Sequence, residues 1–244
     1  MKNSDGHKLY QSDFYENRRA STLHSATTIL GILNDLTEID SAVDFGCGTG
    51  TWLSVAKENG ASIVQGVEGE WLDKDLADIP SSSIHQQNLE LPVKLERRYD
   101  LAISLEVAEH LSATRAESFV ADLCAASDLV LFAAAVPGQG GIHHVNEQWQ
   151  SYWAERFLQN GYHPYDSVRK KIWADNQIPY WYRQNIVVYV KEGTAIENRA
   201  NDCDKVIQFS DLDRVHPELF AQHVHPTMRQ ATGKLIHALK NLNN

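Results

Sequence analysis

The chain has 244 residues, room for one good-sized core plus an appendage, and its 43% hydrophobic and 22% charged residues are ordinary globular chemistry. A formal charge of −10 argues against a nucleic-acid partner, because phosphate backbones are gripped by Lys and Arg. Cys47, Cys124 and Cys203 form no C-x-x-C pair, and no stretch reads as a signal peptide or membrane span, so a cytoplasmic protein with no membrane partner is expected.

Residues 1–22 are polar, with Tyr10, Phe14 and Tyr15 as anchors, and Ser25 to Leu33 carries an amphipathic helical pattern. The apolar pair Ala42-Val43 then runs into Asp44 and breaks into Gly46-Cys47-Gly48-Thr49-Gly50. A helix-compatible stretch from Leu53 to Asn59 follows and stops at Gly60. That order predicts a buried strand, a tight turn and a helix whose first N–H groups point at whatever lies over the loop. The glycines read G-x-G-x-G, with Thr51 at the third position of a dinucleotide fingerprint. Asp44 would repel a pyrophosphate and suits the ammonium of a methionine moiety better. Both features disfavour a nucleotide-dependent dehydrogenase.

A second strand, Ala61 to Val67, delivers Glu68 and Gly69 beside the first strand's carboxyl end, where a carboxylate can accept from ribose hydroxyls. Trp71 and Leu72 follow, placed to cover an adenine edge. Ser83 to Pro92 reads as a short strand breaking into a loop. Tyr99 to Leu111 reads as a buried strand running into a helix, and offsets of three and four place Glu106, Glu109 and His110 on one helical face. A crossover helix, Thr114 to Ala126, precedes an apolar strand from Asp128 to Pro137, covered on both faces. Gly138 to Gly141 makes a mobile loop leading to His143 and His144. A helix from Gln150 to Leu158 closes at Asn160-Gly161. Val168–Trp173 and Asn185–Val190 are expected as the last strands, flanking a loop that carries Tyr180, Trp181 and Tyr182. Glu192 to Asp204 is a polar linker, and Phe209 to Leu242 carries one or two helical patterns.

The Asp44-x-Gly46-x-Gly48-x-Gly50 stretch resembles motif I of class I S-adenosylmethionine-dependent methyltransferases. The strand leading to Glu106-x-x-Glu109-His110 looks like the fourth-strand motif of quinone-type and related small-molecule methyltransferases. Pro137–Gly141, His144–Trp149 and Trp181–Asn185 together resemble a bacterial methyltransferase group associated with surface-glycan genes. The resemblance implies an α/β, Rossmann-like class I fold: a seven-stranded, mostly parallel sheet with helices on both faces. The methyltransferase domain is expected over 1–190, with N-terminal cap helices over 1–38, and a linker and helical extension over 191–244. S-adenosylmethionine is the implied cofactor. It would be held by Asp44, Gly46, Cys47, Gly48, Gly50, Trp52, Glu68, Gly69, Leu105 and Glu106, with Asn88 and the Leu89 backbone on the adenine. Tyr15 or Arg18 of the cap would reach the methionine carboxylate.

A sulfonium methyl is already activated, so alignment and exclusion of water dominate its transfer, and a hydroxyl acceptor also needs a base near neutrality. His144 is the expected base, with His110 second. Aromatic faces at Trp149 and Trp181, with His143 and Arg183, are expected to receive a small polar acceptor: a sugar, nucleotide-linked or aryl hydroxyl. Glu106, Glu109, His110 and His143 or His144 also make an oxygen/nitrogen set for a divalent ion, an alternative not preferred. A non-catalytic adenosyl-binding partner is the other alternative. The C-terminal extension is read as a dimer arm for a homodimer or as a cover for the sheet edge.

Overall fold

A computed structural model describes residues 5–200 and 204–225, with 5–19 as helix backbone only. Arg18 and Tyr15 therefore lie outside the described side chains. Strands β1 (Ser41–Phe45), β2 (Ile63–Glu68), β3 (Ile84–Gln86), β4 (Leu101–Leu105), β5 (Leu129–Ala133), β6 (Tyr162–Tyr165) and β7 (Val187–Lys191) form one sheet. Its order is β3-β2-β1-β4-β5-β7-β6. The first five strands pair in parallel, and β7 enters antiparallel between β5 and β6. The expected fold class is the one observed.

Alternation along each strand sends side chains to two cores. Ala42, Leu129 and Leu131 face one side; Val43, Phe45, Val130 and Phe132 face the other. Helices α1 (Asp5–Asn34), α2 (Thr51–Glu58) and α5 (Ser167–Ile172) cover the first face through Leu30, Leu53 and Val168. Helices α3 (Ala116–Ala126) and α4 (Gln150–Gln159) cover the second through Phe119 and Phe157.

Three local expectations are corrected. Residues 168–173 are not a strand but most of α5, and β6 comes earlier, directly after the left-handed Gly161 (φ 79°). Val168 and Ile172 stand four apart, both 1% exposed, so the apolar spacing is helical. The loop expected to Arg183 contains α6 (Tyr180–Asn185), which starts right after Pro179, an extended N-cap residue. Glu106 does not sit on a helix: it directly follows β4 with φ 58°, and only Ala108–His110 coils, as a single 3₁₀ turn.

The chain divides into two compact units, Met1–Asp213 and Arg214–Asn244. The first reaches Asp213 because that carboxylate accepts from Ser151 N (2.8 Å) and Ser151 Oγ (2.7 Å), while buried Arg169 donates to the Leu212 carbonyl at 2.8 Å. The second contains α7 (Pro217–Val224), capped by His216 Nδ1, which accepts from Glu218 N at 3.2 Å. Residues 226–244, where the helical pattern continues, are outside the described residues. No helix among the described residues is long and apolar enough to cross a membrane.

Candidate cofactor and acceptor site

The chain leaves β1 at Asp44 and turns through Gly46 (φ 83°), Gly48 (φ 53°) and Gly50 (φ 85°) into α2. Two of these positions are closed to a side chain. A Cβ on Gly46 would lie 2.4 Å from Val107 Cγ2, and one on Gly50 would lie 2.8 Å from Ile79 Cγ1. A Cβ on Gly48 would meet nothing within 4 Å among the described residues, so the loop is open on that side. Gly50 caps α2 without a side-chain bond.

Over this loop is a cavity of about 500 Å³, within the range that holds small ligands. Its wall is drawn from distant parts of the chain: Thr22 of α1, Asp44, the loop residues Gly46 to Thr49, Thr51 and Trp52 of α2, Leu76 and Asp78, Leu105 and Glu106, and Trp181 and Tyr182 of α6. Tyr182 meets Trp52 edge-on, ring centroids 5.6 Å apart. Three carboxylates and no Lys or Arg stand among these described lining residues. Burial holds Asp44 well above the usual carboxylate range, and the Glu68 charge adds to it. Burial likewise pushes Glu106 up to about 7, with Glu147 adding, while hydrogen bonds from Asn185 and Gln139 pull the other way. Buried acids that resist ionising are stabilised by an incoming cation. The donor set therefore fits the ammonium and sulfonium of S-adenosylmethionine and is wrong for a pyrophosphate.

Glu106 is clamped at both oxygens. Asn185 Nδ2 donates to Oε1 and Gln139 Nε2 to Oε2, each at 2.8 Å. Its left-handed backbone is uncommon for a residue with a Cβ, and the clamp helps to hold it.

Beyond Gln139 lies the histidine cluster. His144 Nδ1 donates to Glu147 Oε1 at 2.8 Å, and its Nε2 lies 4.0 Å from Glu109 Oε1. Glu109 is fully buried, and neither oxygen accepts a hydrogen bond from the described residues. Desolvation and the Glu106 charge hold it well above its ordinary range; the amides of Glu109 and Ala135 oppose this without reaching hydrogen-bond geometry. His110 stacks edge-on against His144, centroids 4.8 Å apart, and its Nδ1 is 3.3 Å from the His143 carbonyl. Desolvation and then His144 hold His110 below the ordinary imidazole value. Ligand atoms of Glu109, His110 and His144 lie within 4.8 Å of one another. Glu106, turned to Gln139 and Asn185, is not in that group.

Of the residues expected at the cofactor, Asp44, Gly46, Cys47, Gly48, Trp52, Leu105 and Glu106 line the cavity, together with Trp181, which was expected at the acceptor. Glu68 is turned inward, accepting from Gly48 N at 2.7 Å and Gly69 N at 2.8 Å. The exposed Trp71 indole lies on Gly69, where a Cβ would come within 2.1 Å of the ring. Asn88 is engaged in a turn, its Oδ1 accepting from Glu90 N at 3.0 Å, beside buried Leu89. Arg183 is buried, donating to the Trp173 carbonyl at 3.1 Å, and is not placed to clamp an acceptor. His143 is exposed at φ 62°, and Trp149 is 37% exposed.

Sequence reasoning missed Thr22 and Asp78 in the cavity wall, and missed Gln139, Asn185 and Glu147 as organisers. Asp78 accepts from Thr51 Oγ1 at 2.7 Å and Thr49 Oγ1 at 3.3 Å, pinning the segment after β2 to the glycine loop. No spacing announces these pairs. For Glu147, the His144-x-x-Glu147 offset was the available signal.

Residues 16–170 match the family model described as a methyltransferase domain, more than half of the chain. No curated protein matches the sequence. Among solved structures, the chain is similar to magnesium protoporphyrin IX methyltransferase from Synechocystis PCC 6803 with bound SAM: 18% identity, 78% of this chain and 93% of that one, TM-score 0.53. Streptomyces venezuelae DesVI is similar at 15% identity, 78% and 100% coverage and TM-score 0.53. CalS10, an amino pentose methyltransferase from Micromonospora echinaspora, gives 14%, 75% and 96%, and TM-score 0.51. At such identities the likeness speaks to the fold. The family match, the glycine loop under an acidic cavity and the strand order agree, and the chain belongs to the methyltransferase-domain family as a class I S-adenosylmethionine-dependent methyltransferase.

Proposed function

We propose that the protein methylates a hydroxyl of a small polar acceptor, a sugar, nucleotide-linked or aryl compound, with His144 as the base. The observation that carries this reading is the His144–Glu147 bond. A carboxylate on Nδ1 fixes the tautomer and leaves the Nε2 lone pair free to take a proton. Desolvation raises the Glu109 carboxyl well above its ordinary range, which weakens its pull on Nε2 across 4.0 Å. When bound, S-adenosylmethionine supplies a methyl carbon on a sulfonium leaving group. Asp44 and Glu106 neutralise its cationic end, the aromatic wall of Trp52, Trp181 and Tyr182 excludes water, and His144 receives the acceptor's proton at Nε2. Ring compounds are named for two of the structural neighbours, a porphyrin and an amino pentose. The flat faces of Trp149 and Trp181 suit rings of that kind.

A metal-assisted version is the second reading, favoured by the convergence of Glu109, His110 and His144. A turnover screen of hydroxyl acceptors, run on the wild type and His144→Ala, tests the first. Loss of roughly 10²–10⁴ in kcat with unchanged cofactor affinity is expected. Turnover abolished by EDTA and restored by Mg²⁺ or Mn²⁺ would instead make His144 a metal ligand. Binding of S-adenosylhomocysteine with no turnover on any acceptor would leave a non-catalytic binding partner.

A further inference from the structure

Gln139 stands between two glycines whose amides are committed to one carboxylate. Gly138 N donates to Glu147 Oε2 at 2.8 Å, and Gly140 N donates to Oε1 at 2.7 Å. The same Oε1 accepts from His144 Nδ1. The segment around Gly138, Gly140 and His144 is thus gathered on Glu147, and its far end is tied to the Glu109 carbonyl by Val145 N and Asn146 N. Both glycines are left-handed, at φ 85° and 72°, a conformation that lets the segment turn tightly about that carboxylate.

From this gathered loop the Gln139 side chain reaches the carboxyl end of the sheet. Its Nε2 donates to Glu106 Oε2 at 2.8 Å, and its Oε1 accepts from Asn185 Nδ2 at 2.9 Å and Gln184 Nε2 at 3.2 Å. Asn185 closes the ring by donating to the other oxygen of Glu106. Glu106 lines the cavity, and Gln139 and His144 do not. One amide therefore joins the cofactor's compartment to the loop that carries the histidines.

We propose that Gln139 is a positioning residue that couples the two halves of the reaction: cofactor in the cavity fixes Glu106, Glu106 fixes Gln139, and the loop with His144 settles into its working place. The coupling rests on the reading that this cavity holds S-adenosylmethionine. Its physical source is charge. A cation beside Glu106 favours the ionised carboxylate, and hydrogen bonds to an ionised acceptor are about twice as strong as neutral ones. Filling the cavity thereby tightens the Gln139 bond, and linkage requires the converse, that an ordered loop holds the cofactor more firmly. Cofactor binds before acceptor, and a specific acceptor site is completed only on the loaded enzyme.

The test is amide hydrogen exchange on the full chain with and without saturating S-adenosylhomocysteine, with calorimetry alongside. In the wild type, the product should slow exchange at Gly138 and Gly140 by roughly 5–150-fold, the span usual for coupled sites. Gln139→Met keeps the shape and removes donor and acceptor. It should still bind the product, show no ligand-dependent slowing in the loop, and raise the acceptor KM with little change for the cofactor. A merely structural role would alter exchange in the free protein and leave the ligand-dependent increment in place. Gln139→Asn, one methylene short of Glu106, repeats the comparison if the Met variant folds poorly. Retained slowing in either variant, or product that binds the wild type without protecting the loop, overturns the coupling. Failure of the wild type to bind the product overturns the cavity reading beneath it, and calorimetry alone reports that.

Discussion

Glu106 concentrates the chemistry that one residue can hold: a left-handed backbone, two clamped oxygens and a carboxyl pushed up to about 7 from an ordinary 4.5. In the free protein it keeps a proton that the unfolded chain releases. Its contribution to stability is complete below pH 4.5 and is lost as pH rises through about 7. Glu106→Gln should therefore flatten the fall in denaturation midpoint across that window, leaving the part that Asp44 and Glu109 impose in the same direction. Ligand binding has the opposite sign, because a ligand ammonium beside Glu106 favours the ionised acid. Affinity for S-adenosylhomocysteine should climb toward pH 7 by up to about tenfold per pH unit, and less steeply in Glu106→Gln. Calorimetry between pH 5.5 and 8 decides it, and a flat wild-type profile would separate Glu106 from the cofactor's ammonium. Asp44 and the glycines were legible in the sequence because spacing and an adjacent strand fix where they fall. The partners of Glu106 were not. Gln139 and Asn185 are 33 and 79 positions away, and their meeting depends on how β5, the following loop and α6 pack.

At the scale of elements, strands flanked by glycine turns were readable, and elements of six residues were where period became ambiguous. Ser167–Ile172 contains three consecutive cations between two apolar residues, so a short strand with charged neighbours and one and a half helical turns look alike. The buried Arg169 settles it, since its bonds to Asp166 and to the Gln184 carbonyl demand the helical offset. The antiparallel β7 carries a testable oddity. Tyr189 is fully buried, stacked on Phe157 with centroids 3.7 Å apart, and its hydroxyl has no hydrogen-bond partner among the described residues. A lone buried hydroxyl costs free energy that its ring does not need. Tyr189→Phe should be neutral or stabilising by up to about 1 kcal/mol in urea denaturation. Destabilisation beyond that would mean the hydroxyl is satisfied by an interior water.

Across the whole molecule, strand count, parallel order and the covered faces followed from apolar runs separated by helical periods. The reach of the first compact unit to Asp213 did not, because it depends on single polar contacts such as Asp213 with Ser151. The cavity wall runs from Thr22 to Tyr182, and β1, at its floor, pairs on one side with β2 and on the other with β4. No fragment of the chain contains the wall, so it exists only after the sheet has closed and α1 and α6 have docked. Time is where that geometry shows itself. Non-local pairing is made slowly, and a ligand that recognises only the finished wall arrives too late to hasten it. S-adenosylhomocysteine should leave the refolding rate of this chain unchanged and slow its unfolding, shifting the midpoint through the unfolding limb of the chevron alone. The enzyme's lifetime in a cell would then follow its supply of cofactor, with the empty protein turned over first.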